Sequence, residues 1–431
     1  MQAVSDIQKA ILWGAYDETL SRLYCRPIED VGPFRERMLR LTRNYCETFG
    51  EDESAAVSIF SAPGRTELGG NHTDHQRGKV LAGSVDLDAL ACAAPNGTGE
   101  ICVFSEGYGM IRLDASDLAP QLSEEGTTLG ILRGIAAGIS DLGYTVGGFD
   151  AYVTSDVPGG SGLSSSACFE VLMGTVMNHL FCQGTLRPVT IAKIGQYAEN
   201  VYFGKPSGLL DQMGCALGGV VAIDFRNREQ PEYHSVEADF RKAGYALCII
   251  DTGADHADLT DDYAAIPEEM GRVAREFGVD VLCQVEENAF YGAVPSLRKK
   301  LGDRAVMRAI HYYSDCHRVE KQVEALEQGD FSRFLRLVSS SGHSSYMYLQ
   351  NVATYRDPRE QPVALALAMA GHYLGEKGAR RVHGGGFAGT IQAFVPLDMV
   401  KEFKAGMDGL LGAGACRVTY IRPVGCCAVV K

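Results

Sequence analysis

Positive charge is what this sequence has least of to spare. Its 40 lysines and arginines stand against 54 aspartates and glutamates, a net −14 at pH 7. A chain this acidic is unsuited to general binding of nucleic acid or of an anionic membrane, and neither is expected as a partner. It can still hold an anionic ligand locally, because backbone N–H groups and a few cations are enough to cradle a phosphate. No stretch approaches the ~18 uninterrupted apolar residues of a membrane helix. The opening MQAVSDIQKAILWGAYDETL has no basic segment followed by an apolar one, so no secretory leader is expected. The 13 cysteines include no CxxC pair and no metal-ligand spacing, which points to reduced thiols in a cytoplasmic protein. No glycine-rich turn is followed by Gly-Lys-Ser/Thr, which excludes a P-loop. Internal repeats, low-complexity tracts and an obvious flexible linker are absent as well.

What is present is the composition of an ordinary globular protein, 46% hydrophobic and 22% charged over 431 residues. That length favours two domains, since single cores stop growing near roughly 250–300 residues. Residues 1–50 carry apolar residues at helical spacing, with Ile7, Ile11, Leu12, Leu20 and Leu23 on one face and a second run from Phe34 to Phe49. Segments 57–62, 79–94, 101–104, 148–155 and 219–225 read as strands, and helices are expected at 164–182 and 188–203. A strand at 245–251 opens a second half, with helices at 268–277, 304–326, 330–339 and 361–374 and strands at 390–395 and 416–421. Strands and helices without strict βαβ alternation predict an α+β fold. The expected division lies near 235, giving domains 1–235 and 236–431.

Three stretches carry chemistry. Val157-Pro-Gly-Gly-Ser-Gly-Leu-Ser-Ser-Ser-Ala167 runs from a strand into an apolar helix. Glycines let a ligand approach the backbone, and the serines sit where a helix start favours negative charge, a ready phosphate site. Alone, the same pattern also suits a Ser-capped helix after a turn. Ala62-Pro-Gly-Arg-Thr-Glu-Leu-Gly-Gly-Asn-His-Thr-Asp-His75 crowds charged and polar groups onto a tight backbone, as a ligand site requires; a solvated loop is the plainer reading. Val382-His-Gly-Gly-Gly-Phe-Ala-Gly389 precedes a strand and could equally be a Gly-rich hairpin.

Together, and in this order, these stretches resemble the GHMP kinases, and the PGR…HTD form resembles galactokinases in particular. The likeness extends to Gln196-Tyr-Ala-Glu199 with Gly208-Leu-Leu-Asp-Gln-Met213, to a sugar-loop region at 255–263, and to a helix at 330–351 with Ser341 and His343. It implies a two-domain GHMP fold, an N-terminal domain like ribosomal protein S5 and a ferredoxin-like C-terminal domain, with the active site between them. By resemblance Asp211 is the catalytic carboxylate beside the sugar's anomeric hydroxyl, and Arg65 steadies charge on the transferring phosphoryl group. Gly159, Gly160, Gly162, Ser164, Ser165 and Ser166 would cradle the ATP phosphates, while Ser166 and Glu199 supply hard oxygen ligands for Mg²⁺. The Gly384–Gly386 loop would buttress the site. His72, Asp74 and Tyr263 match sugar-contacting positions.

The chain also departs from the family pattern. Galactokinases carry glutamate where this chain has Asn71, facing the far end of the sugar near its C6 hydroxyl, and asparagine where it has Glu67. Ala388 stands where glycine is usual. Two sugars follow as expectations. Compensation between Glu67 and Asn71 keeps galactose as the substrate of a sugar 1-kinase. Loss of the charge at Asn71 instead admits a C6 carboxylate, as in galacturonate, and the His75-Gln76 pair is similar to uronic-acid kinases. A sugar and ATP sensor without turnover is the third reading, opposed by the intact GLSSSA motif. A monomer is expected.

Overall fold

The computed structural model describes the whole chain except residues 161, 206, 228, 254–258, 355–357 and 388. The expected 255–263 sugar loop therefore lies partly, and Ala388 wholly, outside the described residues.

Two sheets organise the fold. The larger has nine strands, with Gln2–Ala3, Ala56–Gly69, Lys79–Pro95, Phe149–Ser155, Glu100–Ser105 and Gly109–Asp114 in spatial order. Cys427–Val430 pairs with Ala56–Gly69, and Val220–Asp224 joins Lys79–Pro95 to Glu232–Val236. Among the described residues its one parallel pairing is Glu100–Ser105 with Phe149–Ser155, as an α+β arrangement allows. Strand alternation divides two apolar layers. Phe60, Ala62, Ala91, Ala93 and Val153 face a core under the helices Thr128–Ser140, Ser165–Phe181 and Pro188–Tyr197. Their neighbours Val57, Ile59, Leu90, Cys92 and Tyr152 face the other way, onto the N-terminal helices Val4–Leu12, Asp17–Tyr24 and Gly32–Phe49.

The smaller sheet is antiparallel, in the order Ala379–His383, Thr390–Pro396, Tyr245–Asp251, Cys416–Thr419. Helices Pro362–Leu374 and Val400–Leu411 cover one face. Phe331–Ser344 packs on the other through Phe334 and Val338. A separate apolar cluster binds Thr260–Arg275, Glu287–Leu301 and Asp303–Glu327 to one another.

The sequence reading places most of these elements within a few residues. It differs at two informative points. Residues 62–69 are strand rather than loop, because Ala56–Gly69 continues through the Pro-Gly-Arg motif with a break in register on either side of Arg65 and Glu67. The chain also closes one strand later than expected, with Cys427–Val430 returning to the first sheet.

Candidate active site

Side chains two apart on a strand share a face, and Ala56–Gly69 presents Arg65 and Glu67 in that way. Register shifts at Pro63/Arg65 and Glu67/Gly69 bracket the pair; such bulges bend a strand and re-aim its side chains. Both residues line a cavity of about 210 Å³. His72, Asp74 and His75 enter it from the turn after the strand, Lys205, Ser207, Gly208, Leu210 and Asp211 from the segment leading into helix Leu210–Leu217, and Tyr263, Gly384 and Gly385 from the other half.

At one end of the cavity Arg65 Nε donates to Asp211 Oδ1 at 2.8 Å. Its Nη2 lies 2.6 Å from the same oxygen, and Nη1 donates to the Gly162 carbonyl at 2.5 Å. The Ser164 hydroxyl donates to Asp211 Oδ2 at 2.5 Å. Arg65 is buried, whereas Asp211 keeps 39% of its side-chain surface open to the cavity. Burial alone would raise the Asp211 carboxyl. The Arg65 charge and the hydrogen bonds from Ser164 and Arg65 outweigh it, and the group lies below its ordinary value. The result is an ionised carboxylate, reachable by a ligand and placed in the first turn of a helix, where negative charge is favoured.

The glycine-rich loop joins this centre to a second cavity. Gly160 and Gly162 have φ of +70° and +69°, backbone that glycine adopts without strain. A Cβ on Gly162 would also come within 2.8 Å of Thr390 Oγ1 and 2.9 Å of His383 Nδ1. Gly159 lies at the rim, near the Tyr108 hydroxyl. Ser164 is itself left-handed and leads into helix Ser165–Phe181, whose first N–H groups and dipole suit an anion. Ser165 and Ser166 line a cavity of about 320 Å³, together with Ile131, Val153, Val157, Phe169, Glu170 and Phe203.

Between the two cavities, Glu199 sits in a wide π-helical turn, Ala198–Tyr202, an irregularity frequent at functional sites. Its Oε1 accepts from Lys205 Nζ at 2.8 Å and its Oε2 from Gln212 Nε2 at 3.0 Å. The same amide donates to Glu170 Oε2 at 2.9 Å, while Glu170 Oε1 is buried and has no partner among the described residues. Burial, and then the Glu199 charge, push the Glu170 acid up to about 8.

The far wall of the first cavity is a buried polar lattice. Glu67 pairs with Arg381 Nη2 at 2.5 Å and accepts from Asn71 Nδ2 at 3.1 Å. Asn71 is fully buried and does not line the cavity. Its amide also donates to the Gly384 carbonyl at 2.8 Å, and its Oδ1 accepts from Asn351 and Ser345. Its backbone is held by Asp315 and His311. His72, at φ +59°, meets the Gly385 carbonyl through Nε2 at 2.9 Å, and Tyr263 donates to the Gly386 carbonyl at 2.6 Å. Three successive carbonyls of the late glycine loop are thus gripped from three directions. Burial drives His72 down to about 3, so the ring is neutral; with Nε2–H donating, Nδ1 is left as an acceptor.

Of the residues singled out from sequence, Arg65, Glu67, His72, Asp74, Tyr263 and Asp211 meet in one cavity. Ser165 and Ser166 line the other, and Ser164 and Glu199 lie between. Asn71 stands behind the wall. Sequence reasoning passed over Lys205, Arg381 and Glu170. Glu170 lies one helical turn past Ser166, a spacing that could have revealed it. Arg381 follows from no local pattern.

Comparison with known proteins identifies the family. The galactokinase galactose-binding signature matches residues 43–95 and the GHMP kinases N terminal domain matches residues 130–219. A galactokinase of Streptomyces coelicolor is 31% identical over 364 residues, 83% of this chain and 89% of that protein. A galactokinase of Limosilactobacillus reuteri is 27% identical, over 80% of this chain and 88% of its own. The fold is shared with the crystal structure of Lactococcus lactis galactokinase complexed with galactose, at TM-score 0.77, 23% identity, and 91% and 99% coverage of the two chains. A mevalonate kinase of Methanococcus jannaschii superposes less closely, at TM-score 0.60 and 15% identity over 85% of this chain and 99% of that one. The chain belongs to the galactokinase family of GHMP kinases.

Proposed function

We propose that this protein transfers the γ-phosphoryl group of ATP to the anomeric hydroxyl of galactose, giving galactose 1-phosphate. The observation that carries the reading is the Asp211–Arg65–Ser164 cluster, open on one side to a polar cavity and adjoining the glycine-rich loop on the other. Asp211 accepts the hydroxyl proton as the oxygen attacks phosphorus. Arg65 holds Asp211 ionised and offsets charge on the phosphoryl group. Gly159, Gly160, Gly162 and Ser164–Ser166 receive the phosphates at the helix start, and the apolar cavity beyond takes the adenine ring.

Ser166 and Glu199 are the candidate holders of Mg²⁺. The donor set suits it, with hydroxyl and carboxylate oxygens and an unpartnered Glu170 oxygen on the neighbouring face. When bound, such an ion neutralises charge on the nucleotide phosphates. Asp74, Glu67, His72 and Tyr263 offer the acceptors and donors that a pyranose needs. Three carboxylates, Glu67, Asp74 and Asp211, line the sugar cavity. Arg65 and Lys205 line it too, but Arg65 is paired with Asp211 and Lys205 with Glu199, so among the described residues no unpaired cation is offered to a galacturonate carboxylate and a neutral hexose is favoured. We assign the domains to 1–235 and 236–431, a division supported by the two sheets, with Cys427–Val430 crossing back. Thirteen free cysteines fit a cytoplasmic setting.

A coupled ADP-release assay over galactose, galacturonate, glucuronate, N-acetylgalactosamine and arabinose tests this. Galactose is expected to lead. Preference for galacturonate would replace the sugar and keep the kinase. Sugar and ATP binding without any turnover would establish the sensor instead.

A further inference from the structure

Lys205 lines the sugar cavity beside Asp211 and Arg65, yet its ammonium lies 2.8 Å from Glu199. Its backbone N–H is fixed to the Glu199 carbonyl at 3.1 Å, which pins the root of the side chain at the junction of the two cavities. The chain beyond that root is free to swing: 60% of its surface is exposed, against 5% for Glu199. A flexible stem with a compact charge can exchange partners without moving the backbone.

The phosphoryl group crosses this junction, with charge spread over three oxygens. Arg65 offsets only part of it, because its single positive charge is already shared with the Asp211 carboxylate, and Nη1 also serves the Gly162 carbonyl. His72 is neutral. We propose that Lys205 is a further catalytic residue, contacting the oxygens of the transferring γ-phosphoryl group opposite Arg65. The proposal rests on the kinase reading above. In the transfer the sugar oxygen bonds to phosphorus and the bond from phosphorus to the β-phosphate oxygen breaks, its electron pair leaving with ADP. The hydroxyl proton passes to Asp211, and Lys205 keeps its own proton throughout.

The test compares wild type, Lys205→Met and Lys205→Arg in steady-state kinetics with the sugar that turns over best. It also measures binding of ADP and of a non-hydrolysable ATP analogue, each with Mg²⁺. Expected for Lys205→Met are a kcat lower by roughly 10²–10³-fold, the range for losing one preorganised transition-state donor, and unchanged sugar affinity. The analogue should bind at least roughly fivefold more weakly while ADP binds as before, and Lys205→Arg should recover part of both losses. A kcat within twofold of wild type, or equal weakening of analogue and ADP, would overturn the proposal. Weakened sugar binding would overturn it too, placing Lys205 in the cavity wall. If wild type turns over no sugar, the kinase reading fails, and the contrast between analogue and ADP still decides for or against a γ-phosphoryl contact.

Discussion

The two cavities on either side of the glycine-rich loop are built on opposite plans. The one assigned to the sugar is walled by charged and polar groups that are themselves hydrogen-bonded to a deeper shell of Asn71, Arg381, Asn351 and His311. The one assigned to the nucleotide is mostly apolar, with Ile131, Val153, Phe169 and Phe203, and becomes polar where the serines begin. A ring of hydroxyls must be met by fixed donors and acceptors, and a misplaced one leaves a buried group unpaired at about 1–3 kcal/mol. A flat aromatic base gains by burial, which is non-directional and tolerates imprecision. The sugar side should therefore break sharply and the nucleotide side gradually.

The largest effect is expected at the seam. Asp211→Asn should lower kcat by roughly 10²–10⁴-fold while the ATP analogue still binds; single-turnover kinetics and calorimetry check both. Next is the lattice behind the sugar. Asn71→Asp removes both N–H donors and sets a second carboxylate against Glu67, and should cost about 2–4 kcal/mol of stability in denaturant unfolding. Asn71→Glu should damage galactose and galacturonate turnover alike, because the Asn71 side chain is buried among the hydrogen bonds of the wall. Glu199→Gln should raise the Mg²⁺ needed for half-maximal rate by roughly tenfold or more, read by titrating the metal at saturating ATP. On the nucleotide side, Phe169→Ala should forfeit about 1–2 kcal/mol of apolar contact, which is roughly tenfold in the KM for ATP, with galactose affinity unchanged.

The smallest effect sharpens the contrast by pH. Burial raises the Glu67 acid from 4.5 to about 7, against the pull of Arg381 and Arg65. The folded chain then holds this proton more tightly than the unfolded chain. Its contribution to stability is complete below pH 4.5 and is lost as pH rises through about 7. Glu67→Gln should flatten that part of the stability profile, and substitutions at Phe169 should leave it untouched.

The sequence made the centre legible because its parts are local. Arg65, Ser164–Ser166, Glu199 and Asp211 each sit in a short stretch whose glycines, serines and acids make sense only near a ligand. The second rank was not legible, for a physical reason. Arg381 reaches Glu67 across 314 positions, and no periodicity within a strand of five residues says which face will be inward. The family resemblance places Asn71 toward the sugar's C6 end, where galactokinases carry glutamate; here the side chain is buried behind the cavity wall, two residues past the break in strand register at Gly69. Lys205 reads as a solvated loop lysine until Glu199 is seen beside it. The helices at 128–140 and 210–217 were also passed over, being glycine-rich or short, while their packing on the sheet decides their form.

The pairing of Cys427–Val430 with Ile59–Ser61 has a consequence for how the enzyme is made. The strand bearing Arg65 emerges early from the ribosome, but its outer partner is synthesised 358 residues after Gly69, between positions 69 and 427. At about 5–20 residues per second this is a wait of roughly 20–70 s. Through that interval Ile59, Phe60 and Ser61, which lie beyond the reach of the short Gln2–Ala3 strand paired at Val57, border an open sheet edge, the kind of template on which nascent chains stick to one another. The late strand Cys427–Val430 therefore caps the strand that carries Arg65, and nascent-chain aggregation at this edge is a hazard of the time before it arrives.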